Sequence, residues 1–273
     1  MIVSLRNRRT MRKTIGRFTP VMLVLVALAT LSFMGKEGVT LRLQPKQGQT
    51  YTATSKVNAM TMIEVQGQTM NMSQVIEVRQ SANAKEVTNE QSTIETKIEA
   101  IKMTMSQMGM KLEYDSEHPE KTSPMLAGQI KQFEESLNKV VTANYDAYGK
   151  TLGEDTDLDM SQLSNIIIEL PEEELSVGSK WNSKKTQSVS NTEFNVNMEY
   201  TVTAISKKSV DISFTGSSDS KDINGTYNGT ASIDPQTGLI MSSTTKSNVS
   251  MTINEQGISM PITVVGTTTV EVK

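Results

Sequence analysis

The chain has 273 residues, 27 of them Lys or Arg and 30 Asp or Glu, with 18 methionines, one histidine and no cysteine. Without cysteine it has neither disulfide staples nor a lipid-modified cysteine, so its stability has to come from a buried core. The acidic balance disfavours nucleic acid and anionic lipid headgroups as partners.

Residues 1–34 read as a signal peptide. Arg6, Arg8, Arg9, Arg12, Lys13 and Arg17 precede an apolar run from Val21 to Met34, and no acidic residue comes before Glu37. A basic opening, a short apolar core and the small residues of Ala27-Leu28-Ala29 mark a secretory leader. Cleavage is expected between Ala29 and Gly35. A retained anchor is the alternative, but the run falls short of the roughly 20 residues a helix needs to span a bilayer. Without the leader the chain carries 21 basic and 30 acidic residues, a net charge of −9. The expected product is soluble in the periplasm or secreted, with no integral membrane span.

The fold class expected for the remainder is mainly β: curved antiparallel sheets, read as two half-barrel-like halves, with one or two short helices. Residues 35–123 form the first β half, 124–170 a helix and hairpin connector, and 171–273 the second β half. Strands are expected near 50–63, 69–80, 85–105 and 107–114. Around Ala100-Ile101 the apolar parity switches from Ile94 and Ile98 to Ile101, Met103 and Met105, which predicts a bulge or sharp bend. His118 follows in the polar run Asp115-Ser116-Glu117-His118 and reads as a solvated loop residue.

The spacing of Leu126, Ile130, Phe133, Leu137 and Val140 predicts a helix over 124–140, with Ser123 as N-cap and Pro124 in the first turn. A hairpin over 140–145 and 149–152 comes next. Asp155-Thr156-Asp157 resembles the start of a calcium loop, but Met160 and Ile166 stand where Gly and Glu are required. A second short helix is expected at 160–168.

The second half alternates strictly. Val196, Met198, Tyr200, Val202 and Ala204 share one parity; so do Val210, Ile212 and Phe214, and so do Ile258, Met260, Ile262, Val264, Val270 and Val272. One wet and one dry face per strand follows. Gln66-Gly67-Gln68, Asn224-Gly225, Asn228-Gly229, Asp234-Pro235-Gln236-Thr237-Gly238 and Glu255-Gln256-Gly257 read as turns. Gly48 three residues before Tyr51, and Gly178 three before Trp181, open the two halves alike, which reads as an old duplication.

No Cys nucleophile, His pair or Gly-rich phosphate loop is present, so neither an enzyme nor a cofactor is expected. The unusual feature is the set of Met-x-Met pairs. Met60, Met62, Met70, Met72, Met103 and Met105 are read as lining an apolar interior that takes a lipid-like ligand, since unbranched thioether chains adapt to varied shapes. Two alternatives stand beside this: a structural module binding another envelope protein, and Cu(I) held by thioethers. No other metal site is expected.

Four segments taken together resemble an uncharacterised family of exported, β-rich bacterial envelope proteins. They are Ile101-Lys102-Met103-Thr104-Met105, Gly109 to Ser116, Leu170-Pro171 to Trp181, and Ile233 to Ile240. Ser179 replaces the aspartate of that family's Gly-Asp-x-Trp pattern. The resemblance implies export and a β fold, and supplies no catalytic residue.

Overall fold

The computed structural model describes residues 38–273 except 66, 127–129, 154–165, 190–191, 221–222 and 256–257. The expected leader, the acidic run at 155–160 and most of the second helix lie outside the described residues.

Among the described residues, twelve strands form one antiparallel, curved sheet. They are β1 (Thr50–Val65), β2 (Gln68–Val87), β3 (Gln91–Gln107), β4 (Met110–Asp115), β5 (Val140–Asp146), β6 (Thr151–Leu152), β7 (Lys180–Val189), β8 (Thr192–Ile205), β9 (Val210–Asp219), β10 (Ile223–Ile233), β11 (Ile240–Glu255) and β12 (Ile258–Val272). The order is β6-β5-β3-β2-β1-β12-β11-β10-β9-β8-β7, with β4 also paired to β3. The first and last strands are therefore neighbours, and the pairing of Ala53 with Val272 through Ile63 with Ile262 fuses the two meanders.

The expected alternation sets one inner face. Val196, Tyr200, Val202, Val210, Ile212 and Phe214 are all buried on it. A register shift between Val202 and Ala204 turns Ala204 outward and brings Ile205 in. The bulge expected near Ala100 is present. Arg79 pairs with Ala100 and Gln80 with Ile98, so one extra residue lets Ile98 and Ile101 both reach the core.

Two irregular segments cover the lower part of the inner face. Leu41 and Leu43 come from residues 39–43, and Ile166, Leu170 and Leu175 from residues 166–175. They are tied to each other by paired Val39–Leu175 hydrogen bonds of 2.9 and 2.8 Å. Leu43 N donates to Ala147 O, and Leu170 N to Tyr148 O, each at 2.8 Å. Gly238 closes the Asp234–Gly238 turn at φ 70°, a conformation open to glycine, and a Cβ there would run into the Arg42 carbonyl. Trp181 stacks on Tyr200 at 4.9 Å, and its Nε1 donates to Glu169 O at 2.9 Å.

Two expectations need correction. The expected helix over 124–140 shows, among its described residues, a 3₁₀ turn, Pro124–Leu126, and a short helix α1, Lys131–Ser136, which ends before 140. Its apolar positions still pack, since Leu126, Ile130, Phe133 and Leu137 cover Val78, Ile98 and Ile101. The final turn is lost because Leu137 bridges to Ile98 and Asn138 N donates to Ile98 O. Ser123 does not cap a helix: its Oγ accepts from Glu113 N at 2.9 Å, fastening β4. Asn224-Gly225 and Asn228-Gly229 are not turns and lie inside β10. Gly229 is required there because a Cβ would meet the Phe214 ring at 2.5 Å.

Candidate functional site

The strand ends carrying the β1–β2 and β11–β12 hairpins extend the inner face past the covering segments. The register gives continuous rows across neighbouring strands. Met70, Ile63, Ile262, Met251 and Ile223 follow one another in one row. Met72, Thr61, Val264, Val249, Gly225 and Ser218 form the next. Below them, Ala59, Gly266, Ser247 and Gly216 leave a strip of small residues broken by Tyr227. Met70, Ile63, Ile262 and Val264 are half-buried. Among the described residues, the core clusters that contain the covering segments include none of these four. Toward β7, Phe194, Val196 and Ile223 make a small cluster with Met198, Tyr227, Val249 and Met251 packed around it. The opposite face of the same strands is mostly polar, with Lys56, Asn58, Lys246 and Asn248 exposed, but it also exposes Met60, Val75 and Val265.

The six methionines do not share one surface. Met103 and Met105 are buried, with Met72 packed against them, and Met70 lies one step along the same face. Met60 and Met62 pair with Ser73 and Asn71 on the outer face, and Met60 is 52% exposed. The expectation of one six-methionine lining is corrected here. β1 is apolar at both parities around position 60, and the side facing inward is fixed by its pairing with β2 and β12. Gln74 Nε2 donates to Met103 Sδ at 3.2 Å, which ties up that thioether.

Peroxide reactivity follows from this placement. Met108, 75% exposed at a hairpin tip with φ 50°, and Met125, 68% exposed, are expected to oxidise first, with Met60 close behind. Met103 and Met105 should be the slowest. Peptide mass spectrometry during a timed peroxide exposure reads the order; fast oxidation of Met103 would show that this core is open.

Charged groups gather elsewhere. Glu117 bridges Arg79 at 2.7 Å and Lys102 at 3.1 Å, and Lys102 also lies 3.6 Å from Asp115. The hydrogen bond from Arg79, followed by that from Lys102, holds the Glu117 carboxyl below the ordinary glutamate range. His118 pairs with Glu120 at 3.3 Å and both are exposed. This is a solvated network that fastens the segment after β4, and it forms no cleft around a reacting group.

Sequence reasoning missed three residues on the inner face. Lys185 shares parity with Trp181 and Ser183, and pairs with Val196, which pairs with Ser218. Ser218 is 3% exposed, and its Oγ has no hydrogen-bond partner among the described residues. Gly225 lies beside it on β10. Counting by twos from Trp181 would have placed Lys185 inward; Gly225 was hidden by its resemblance to a turn.

Residues 158–240 match the model of a family of unknown function (DUF6263), in agreement with the resemblance to a family without an assigned activity. No curated protein matches the sequence. Among solved structures the chain is similar to lipovitellin, in a structure describing its lipid–protein interactions, with a TM-score of 0.48 and 11% identity. That match covers 84% of this chain and 25% of the lipovitellin chain, so this chain spans a quarter of that length. An outer membrane channel from Pseudomonas putida F1 matches with a TM-score of 0.27 and 6% identity, over 85% of this chain and 98% of that one.

Proposed function

We propose that this chain is an exported, non-catalytic protein that binds an apolar or amphipathic molecule on the uncovered upper part of its inner face. The observation that supports it is the row of apolar side chains Met70, Ile63, Ile262 and Met251, all half-buried, which runs in register across the strands to buried Ile223. A contiguous apolar row of this kind is costly to leave in water, at about 25 cal/mol per Å², and marks an interaction surface. The ligand's apolar part would lie across the strands, with the Met70 and Met251 thioethers adjusting to its shape.

Strand addition to a protein partner is less well supported. The outermost long strand, β7, carries Lys180, Lys184 and Lys185, and edge lysines oppose pairing with another strand. Nothing specific favours Cu(I), since the Met60/Met62 pair lies on the opposite face from Met103 and Met105.

Native mass spectrometry before and after organic extraction tests the reading. A bound apolar adduct is expected, removed by the solvent. The stripped protein should take up alkyl probes with an affinity that rises with chain length. Each methylene should contribute less than about fourfold, the limit for full burial at ~0.8 kcal/mol per CH₂. Absence of both adduct and probe uptake would sink the proposal.

A further inference from the structure

Thioethers are unevenly placed on the inner face. The buried clusters beneath the covering segments are built from Leu, Ile, Val, Ala and aromatic side chains, and among the described residues they contain no methionine. The half-buried methionines lie higher. Met70 and Met251 stand in the row that runs through Ile63 and Ile262, and Met72 stands in the next row. Met260, two residues before Ile262 on β12, pairs with Ile253 at the upper end. Met198 touches the rim of the lower core, while Met103 and Met105 are buried in the separate cluster against which Phe133 packs.

Among apolar side chains, the thioether is the one that peroxide converts readily into a polar group. Hydrogen peroxide transfers one oxygen to the sulfur lone pair. Its O–O bond breaks and water leaves, so the sulfur loses two electrons and the peroxide gains them. The product carries a hydrogen-bond acceptor on a chain that was apolar. The strand partners of Met70 and Met251 are Ile63, Ile262 and Ile223, and that of Met260 is Ile253, so no partner side chain there can donate to it. In the free protein, water solvates the sulfoxide. An apolar ligand laid over it removes that water and offers no hydrogen bond in return.

We infer that the uncovered inner face is a redox-gated binding surface: oxidation of Met70, Met72, Met251 and Met260 releases its apolar ligand while the fold stays intact. The inference rests on the apolar-face reading above and adds its regulation. The fold is spared because the described part of the lower core and the Val39–Leu175 tie hold no thioether, and because Met103 and Met105 are only 3% and 9% exposed. Reductases acting on the two sulfoxide epimers, with a dithiol as electron donor, reverse the step. Two thiols become a disulfide, the oxygen leaves as water, and the thioether returns.

The test follows the solvent-stripped protein through a timed exposure to hydrogen peroxide, ended with catalase. Peptide mass spectrometry reads each methionine, native mass spectrometry reads uptake of 1-hexadecanol, and far-ultraviolet circular dichroism reads the fold. Uptake is expected to survive conversion of Met60, Met108 and Met125. It should then fall by about tenfold or more as Met70 and Met251 convert, the scale of burying a polar group without a hydrogen bond. The β spectrum should persist, and the two reductases with dithiothreitol should restore uptake. A variant carrying Met70→Leu, Met72→Leu, Met251→Leu and Met260→Leu should keep its own starting affinity through the same exposure. One carrying Met60→Leu, Met108→Leu and Met125→Leu should lose uptake as the native protein does. Unchanged uptake with Met70 and Met251 fully converted overturns the gate and leaves the apolar-face reading intact. So does uptake lost in step with Met60, Met108 and Met125, or lost together with the β spectrum. No uptake before oxidation overturns both readings.

Discussion

Replacing Trp181 by alanine should lower the unfolding free energy by about 3–5 kcal/mol, the range for deleting a large aromatic side chain from a packed core. Trp181 is 9% exposed, stacks on Tyr200 with an interplanar angle of 18°, and belongs to the cluster that includes Leu41, Leu170 and Leu175. It also joins two separate parts of the chain, because its Nε1 donates to Glu169 O in the segment that covers the sheet. The loss therefore combines a cavity, a ring contact and an unpaired carbonyl. Trp181→Phe keeps most of the stack, so its smaller cost should come from the lost hydrogen bond, about 1 kcal/mol, and the reduced ring area. Urea unfolding followed by far-ultraviolet circular dichroism measures both, since the tryptophan fluorescence disappears with the residue. A change below about 1 kcal/mol for Trp181→Ala, the usual range of surface substitutions, would show that the indole does not fasten residues 166–175 to the sheet.

Val264→Lys should reduce uptake of alkyl probes by about tenfold or more while leaving the fold in place. Val264 is half-buried at the centre of the apolar rows, between Thr61 on β1 and Val249 on β11. An ammonium there places charge where the ligand's chain would lie, and desolvating it on binding costs several kcal/mol. In the free protein the lysine stem lies along the sheet with its head in water, so the stability cost stays small. The control is Thr267→Lys, which sits on β12 at the parity that pairs with Asn58 and Lys246 on the outer face. That change should leave uptake untouched. Equal loss in both variants would point to a general charge effect, and no loss in Val264→Lys would place the ligand elsewhere.

Much of the fold was legible because a strand writes its own pattern. Parity within a strand is local, so the dry positions of β8, β9 and β12 could be read directly, and so could the extra residue near Ala100. Asp234-Pro235-Gln236-Thr237-Gly238 carries its turn chemistry with it: Asp234 Oδ1 accepts from Gln236 N and Oδ2 from the Thr237 hydroxyl. The candidate site was less legible. Met60 and Met62 have the same local pattern as Met70 and Met72, and the pairs differ only in which way their strands face. Asn228-Gly229 has the composition of a turn, yet Phe214 on the neighbouring strand needs the space.

The sequence by itself determined that this protein is an antiparallel β structure with one apolar face per strand, because the period-two alternation and the turn residues act over a few neighbouring positions. Tertiary structure alone decided how far that apolar face is covered. The segments at 39–43 and 166–175 lie on its lower part through side chains and single hydrogen bonds distant in sequence, such as Gln44 N to Thr237 O and Ile240 N to Ile166 O. It also decided that β1 pairs with β12, which joins two meanders into one sheet and aligns Met70 with Ile223 across five strands. Such pairings depend on loop closure and on the summed burial of many residues, neither of which is written in any short stretch of chain.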